Sequence, residues 1–254
     1  MKKYRSHTNE VTMSVLSVLF VGLGLLLIYS TSSVFSMQQF GSQYHFFSRQ
    51  FLFACFGLAL MAVVGLSDYR RFQPYTLQIL IVSGLLLLLV FVPHLGKEVR
   101  GARRWIDLGP VNFQPSELVK VTLVFYLASL LARKEVQKTI RESFSGYLRI
   151  WLIAAPVVGL VLVQKDLGTP VILVMAVLLL LFLAGARVKH MAMTVLAVVP
   201  ACGLLCLDNH RWHRLSSFSD PWADPYGAGY QLIQSLISLG KGGLFGVGLG
   251  NGSQ

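Results

Sequence analysis

The chain has 254 residues, 54% of them hydrophobic and only 13% charged, a balance too apolar for an ordinary soluble domain. Its formal charge of +11 would suit nucleic acid or an anionic surface, but no soluble basic domain is present to carry nucleic acid, so that class is excluded. Cys55, Cys202 and Cys206 all fall inside apolar runs, which excludes a disulfide framework or a cysteine metal site and reads as small packing residues.

In chain order, Lys2, Lys3 and Arg5 lead into a first apolar run, Val11–Tyr29. A cleaved signal peptide shares that basic lead, but this run is long and Tyr29–Ser33 lacks a small-residue cleavage site, so it is a retained span. Six further runs follow: Phe46–Leu66, Tyr75–Val92, Leu118–Leu131, Ile150–Val163, Pro170–Ala186 and Met191–Leu207. Most approach the roughly 20 residues that cross a bilayer, a few being marginal at about 14 to 17. Several are apolar all round rather than amphipathic, and in lipid such segments must be helical to satisfy their own backbone. The fold class is therefore an all-α polytopic membrane protein of about seven transmembrane helices. It forms one integral membrane domain over residues 1–254, with a cytoplasmic tail at 1–10 and an external loop carrying a short helix at 208–254.

Short loops rich in Lys and Arg stay cytoplasmic. Three basic residues mark the N-terminus, Arg70 and Arg71 the second loop, Arg133, Lys134, Lys138 and Arg141 the fourth, and Arg187 and Lys189 the sixth, whereas the first loop, Ser30–His45, has none. The N-terminus and the even loops are thus inside. This rule accounts for about half of the positive charge. The third loop breaks it, with Lys97, Arg100, Arg103 and Arg104 on the outer face, as do Arg211 and Arg214 after the last span. Basic loops on the outer side point to an anionic ligand.

The third loop leads into FQPSELVK. Ser116 is placed to N-cap the next helix, with Glu117 in its first turn, and Glu117 and Lys120 share a face at three-residue spacing. A simple salt bridge with Lys120 snorkelling to the interface would explain them, but charges inside a span favour a cavity-lining role. Further on, QKDLGTP joins the fifth and sixth spans. Thr169 as N-cap with Pro170 at the first helical position accounts for the helix entry. Lys165 and Asp166 are left over: Asp166 either neutralises Lys165 or Lys120, or holds a cation. In the tail, DPWADPYG is turn-rich, and Gly229–Leu239 reads as a helix too short to span, capped by Gly240. Gln231, Gln234, Ser235 and Ser238 recur at helical spacing opposite Leu232, Ile233, Leu236 and Ile237, giving a re-entrant or interfacial helix with one wet face. GKGGLFGVGLGNG lacks the preceding strand and the Lys-Ser/Thr pair of a Walker loop, although backbone N–H groups with Lys241 suit an anion. The six histidines show no i,i+4 pairing beside a carboxylate, so zinc hydrolase chemistry is not indicated.

RGARRWIDLG, FQPSELVK, DLGT and DPWADPYGAGYQLIQSLISLGKGGLFGVGLGN, in this order and between these spans, resemble the SEDS family (FtsW, RodA and SpoVE), and the DPWAD and GYQ forms resemble its FtsW/SpoVE branch. The resemblance implies a roughly ten-helix fold of the bacterial inner membrane. It also implies a peptidoglycan glycosyltransferase that polymerises lipid II, an undecaprenyl-linked disaccharide-pentapeptide, on the outer face. Implied partners are a class B penicillin-binding transpeptidase and other division proteins, besides membrane lipid. Arg103 and Arg104 would grip the pyrophosphate, Trp105 would lie beside sugar or prenyl chain, and Glu117, Lys120 and Asp166 would line the polar central cavity. Gln231, Ser235 and Lys241 would shape its outer segment. A divalent cation, Mg or Mn, on the pyrophosphate is compatible with this chemistry. Two departures follow. The family's general-base aspartate is expected beyond Gln254, so no residue here is assigned as catalytic and the chain reads as C-terminally truncated. Where most members have Pro before DLGT, this chain has Lys165, adding charge near the pyrophosphate path or pairing with Asp166. The alternatives are a lipid II flippase, which needs the cations but no base, and a non-catalytic division scaffold.

Overall fold

The computed structural model describes residues 2–99, 102–109, 111–166, 168–206 and 217–248. It divides into two compact units, residues 1–67 with 204–254, and residues 68–203.

In the first unit, helix α1 (Lys2–Phe40) packs along helix α2 (His45–Leu66). The expected loop Ser30–His45 shrinks to residues 41–44, because the polar residues that suggested a loop bond within the helix. Thr31 Oγ1 donates to the Leu27 carbonyl at 2.8 Å and Ser32 Oγ to the Ile28 carbonyl at 2.5 Å; such hydroxyls are satisfied without ending a helix. Gly41 ends α1 at φ +69°, a left-handed conformation that glycine adopts without steric cost.

The second unit begins with two 3₁₀ turns, Tyr69–Arg71 and Gln73–Tyr75, that run into helix α3 (Thr76–Leu89). Helices α4 (Pro115–Leu131), α5 (Lys134–Glu142), α6 (Phe144–Val163), α7 (Gly168–Leu183) and α8 (Val188–Cys206) follow. Leu87, Leu123, Leu127, Ile150, Leu173 and Leu181 lie in the buried core where α3, α4, α6 and α7 meet. Val121, Leu152, Met175 and Leu183 point outward, each about two-thirds exposed, as suits helices solvated by lipid tails. Among the described residues each of the seven expected runs is mostly helical, although the third ends its helix at Leu89 and the sixth at Leu183. Among the described residues four helical segments, Glu10–Phe40, His45–Leu66, Tyr69–Leu89 and Phe144–Val163, are long and apolar enough to cross a bilayer. The α4–α5 pair is bent by 88°, while Gly168–Leu183 and Val188–Pro200 are shorter apolar helices. The expected fourth loop is instead the amphipathic helix α5.

The all-helical expectation describes the membrane part; the third loop adds a small antiparallel sheet. Strands β1 (Gly96–Val99), β2 (Ala102–Asp107) and β3 (Asn112–Phe113) lie in that order, with Lys97 opposite Trp105, Glu98 opposite Arg103 and Ile106 opposite Phe113. A register shift falls between Lys97 and Glu98. A side chain at Gly96 would meet the Val90 carbonyl at 1.8 Å, so only glycine lets β1 turn back so closely on the end of α3.

The later part of the first unit contains a 3₁₀ turn, Pro221–Ala223, and helix α9 (Tyr230–Gly242). The expected turn chemistry is present. Asp220 Oδ1 accepts from the Trp222 N–H, and the Asp224 carboxylate accepts from the Gly227 and Ala228 N–H groups at 3.0 and 2.9 Å. Helix α9 runs past the expected Gly240 stop to a cap at Gly243, φ +54°, whose N–H bonds to the Leu239 carbonyl. Gly240 stays within the helix, and Gly243 is the residue that takes the positive φ that glycine adopts without steric cost.

Candidate functional site

The site is built where β2 meets the α6–α7 corner. Successive residues of a strand face opposite sides, so Ala102, Arg104 and Ile106 share one face of β2. Ala102 and Ile106 are buried, and Arg104 between them is drawn inward with its side chain one-third exposed. Arg103 takes the other face, about half exposed, its Nε donating to Glu98 Oε2 at 3.2 Å. The two adjacent arginines, grouped on sequence grounds, therefore part company. Trp105 is half-buried in register with Lys97.

On the far side of the contact, α6 ends in a non-glycine left-handed residue, Lys165 at φ 58°, whose N–H bonds to the Leu162 carbonyl at 2.9 Å. That conformation costs about 1–2 kcal/mol outside glycine. The Lys165 carbonyl accepts from Arg104 Nη2, and Arg104 Nη1 lies 3.7 Å from Asp166 Oδ1. Asp166 is buried. Its Oδ1 accepts from the N–H groups of Gly168 and Thr169 at 3.1 and 3.4 Å, and its Oδ2 from the Thr169 hydroxyl at 2.9 Å. Asp166, not Thr169, is thus the cap of α7, since its carboxylate reaches two of the orphan donors of the first turn. Its charge partner is Arg104 rather than Lys165 or Lys120. The exposed Lys165 makes no ion pair among the described residues.

At the start of α4, Lys120 Nζ meets Glu117 Oε2 at 2.7 Å, with Lys120 about a quarter exposed. The expected cap shifts by two residues. Gln114 holds the N-cap position without a side-chain bond to the helix, Pro115 opens the helix, and the buried Ser116 Oγ accepts from Gln114 Nε2 at 2.9 Å. Proline at the first position needs no partner for a missing N–H, so no serine cap is required. Beside Trp105, Lys97 pairs with Asp107 at 3.1 Å and donates to Asn112 at 3.4 Å. The Gly109 N–H, and then Lys97, hold the Asp107 carboxyl below the usual carboxylate range.

Gln164 is a site residue that motif reading passed over. It is buried, its Nε2 donates to the Leu87 carbonyl at 3.1 Å, and its Oε1 has no partner. The Arg104 Nε is also buried and unbonded. The available signal was a glutamine closing an apolar run, where a polar side chain must find a backbone partner.

Gln231, Ser235 and Lys241 lie on α9 in the other unit, all exposed, with the Ser235 hydroxyl donating to the Gln231 carbonyl at 2.8 Å. Arg100, Arg211 and Arg214 lie outside the described residues, as do the side chains of Cys202 and Cys206. Among the described residues no three His, Cys, Asp or Glu side chains gather to hold a metal. Asp166 is already committed to Arg104 and the α7 N-terminus, so these residues do not fit a resident ion.

Residues 10–254 match the sequence model of the FtsW/RodA/SpoVE family, described as cell cycle protein. The chain is 42% identical over 250 residues to the probable peptidoglycan glycosyltransferase FtsW of Coxiella burnetii, covering 98% of this chain and 66% of that protein. It is 40% identical over 233 residues to the protein of the same description in Legionella pneumophila, covering 91% and 59%. The chain thus spans about three fifths to two thirds of the length of these relatives. Among solved structures, a chain of a peptidoglycan synthase complex that coordinates polymerization and crosslinking is similar at TM-score 0.70 and 31% identity, over 91% of this chain and 65% of that one. The rod shape determining protein RodA of Thermus thermophilus is similar at TM-score 0.53 and 25% identity, over 90% and 86%.

Proposed function

The chain belongs to the FtsW/RodA/SpoVE family, and from that premise we propose that it forms the substrate-binding portion of a lipid II polymerase, a peptidoglycan glycosyltransferase of division-wall synthesis. The observation that carries this reading is Arg104, held from below by the Lys165 carbonyl and Asp166 on a sheet that also presents Arg103 and Lys97.

In the reaction proposed, the hydroxyl of an acceptor sugar attacks the anomeric carbon of the donor. The bond from that carbon to the diphosphate oxygen breaks, and undecaprenyl diphosphate leaves with the electron pair. Cations that stabilise this growing negative charge lower the barrier most when they are fixed beforehand. A guanidinium pinned on two sides meets that requirement better than a free side chain. We assign Lys120, restrained by Glu117, as a second cation for the diphosphate.

The acceptor proton must go to a carboxylate. Asp166 does not suit that task, because both its oxygens already accept hydrogen bonds from the first turn of α7 and Oδ1 faces Arg104, so neither is placed to receive the acceptor proton. Its role in this reading is to position Arg104. In this reading the base is a residue other than Asp166.

The chain is a multi-pass membrane protein. We place it in the cytoplasmic membrane with the N-terminus inside, the sheet of β1–β3 on the outer face, and a class B transpeptidase as partner. The support is the Lys/Arg bias of the loops and the synthase complex among the structural neighbours. The test is a protein of full family length carrying this chain, reconstituted with lipid II and that partner. Glycan chains are expected on a gel, and their loss in Arg104→Ala. If lipid II crosses vesicle membranes while no glycan forms, the transporter reading replaces this one.

A further inference from the structure

We propose that α5 and the turn between α7 and α8 form a binding surface for the headgroup of an anionic phospholipid, separate from the lipid II site. Helix α5 is bent by 88° from α4, so when α4 crosses the bilayer, α5 lies in its plane. Ile140 is fully buried in the core and Val136 packs against that core, while Lys134 and Lys138, one turn apart, are exposed. The apolar side of α5 is thus turned to the protein core and its lysines outward, as in an amphipathic surface helix.

The α7–α8 turn is docked onto the end of α5. Arg141 Nε donates to the Ala184 carbonyl at 3.3 Å, and Arg187 Nε donates back to the Arg141 carbonyl at 2.8 Å. Gly185 sits between them at φ +86°, and a side chain there would meet Arg141 Nε at 2.5 Å. The guanidinium occupies the space that a Cβ would fill. This clamp brings Arg187 and Lys189 to the same end of the unit as Arg133, Lys134 and Lys138. Against these cations stand Glu135 and Glu142, and none of the five forms an ion pair among the described residues.

Loop bias alone accounts for the presence of cations, but not for a packed platform that holds them in place. The neighbouring surface selects the ligand. Phe144 and Leu148, one turn apart on the α6 segment that follows α5, are each 46% exposed, giving acyl chains an apolar flank beside the cations. A soluble phosphate would use the charges and leave that flank unused, so the occupant is a lipid such as phosphatidylglycerol. Juxtamembrane lysines each add appreciably to attraction for anionic lipid.

The experiment is native mass spectrometry of the whole chain in detergent, titrated with dioleoyl-phosphatidylglycerol or dioleoyl-phosphatidylcholine. Wild type is expected to retain the anionic lipid preferentially. Lys134→Gln/Lys138→Gln/Lys189→Gln should weaken that retention about tenfold or more, and the triple Lys→Arg variant should restore it. Lys138→Gln alone, at an exposed position, should weaken it several-fold, so the reading does not hang on the folding of the triple variant. Unchanged retention in both Gln variants overturns the proposal. So does an equal loss in Arg70→Gln/Arg71→Gln, which would reduce the effect to net charge. Displacement of the lipid by millimolar inorganic phosphate would show a soluble anion as ligand and overturn it as well.

Discussion

Arg104 and Asp166 meet at 3.7 Å where the three-stranded sheet rests on the entry to α7, and the same carboxylate caps that helix. Charge and cap can be separated by substitution. Asp166→Asn keeps an acceptor for the helix N–H groups but leaves Arg104 without its counter-ion, an expected loss of about 1–2 kcal/mol given the partial exposure of the guanidinium. Asp166→Leu removes the cap as well and adds about 1 kcal/mol. Thermal unfolding in detergent should rank wild type above Asn above Leu. Equal values for the two variants would mean that Asp166 does not cap α7.

The two adjacent arginines should behave differently. Arg104→Ala removes the pinned cation and is expected to cost about 10²–10³-fold in polymerisation rate, the scale of losing one fixed charge-stabilising donor. Arg103→Ala breaks a surface pair worth less than about 1 kcal/mol and should leave folding intact with a smaller loss of rate. Arg104→Lys tests geometry, since an ammonium cannot reproduce the two-sided grip. Glycan synthesis by the three variants, at equal protein levels, checks the ordering. Equal losses for Arg103→Ala and Arg104→Ala would remove the special role of the inward face.

Most of the helical frame could be read from hydropathy, because a run that is apolar all round has only one way to satisfy its backbone in lipid. The site was legible in its residue types but not in its pairings. Lys165 next to Asp166 suggested a local ion pair, whereas the left-handed backbone at Lys165 turns its carbonyl, not its ammonium, towards Arg104. The sheet escaped notice for a related reason. Strand β1 is Gly-Lys-Glu-Val, too short and too charged to show alternation, and in β2 the Arg103–Arg104 pair hides the inward face of Ala102 and Ile106. Helix α5 was hidden by its charge density: Lys134, Lys138 and Arg141 read as a basic loop, while only Val136 and Ile140 mark its buried face.

Lys120 offers a clean separation of activity from stability. Its pair with Glu117 spans one helical turn and is partly exposed, which limits its contribution to about 0.3–0.5 kcal/mol. Lys120→Ala should therefore shift the melting temperature by only about 1–2 °C while abolishing polymerisation. A large drop in melting temperature with residual activity would assign Lys120 a structural role instead.

The sheet should loosen in acid. The Gly109 N–H and Lys97 hold the Asp107 carboxyl below its ordinary value, so its contribution is fully present above the unfolded carboxylate range and is lost as pH falls through the depressed folded value. The effect is small because the pair is exposed. Protection factors at the Ile106 and Phe113 amides, whose strands are paired, should fall on acidification in wild type once the intrinsic slowing of exchange in acid is divided out. Asp107→Asn should remove that pH-dependent loss of protection. An identical pH profile in the two proteins would exclude Asp107 as the responsible group.

Two glycines near and within α9 give opposite expectations. A side chain at Gly229 would meet the Pro221 carbonyl oxygen at 2.0 Å and the Asp224 carbonyl oxygen at 2.9 Å. Both are backbone atoms of a turn already fixed by Asp220 and Asp224, so neither can swing away. Gly229→Ala should therefore displace the turn at a cost of about 1–3 kcal/mol. Gly240 lies inside α9 with nothing within 4 Å of an added Cβ, and Gly240→Ala should stabilise that helix by about 0.5–1 kcal/mol through its better helix propensity. Because the strain is local, limited proteolysis within residues 217–248 is the sensitive readout. Cleavage should speed up in Gly229→Ala and slow down in Gly240→Ala. If both variants are cleaved at the wild-type rate, the DPWADPYG turn does not hold α9 in the arrangement described.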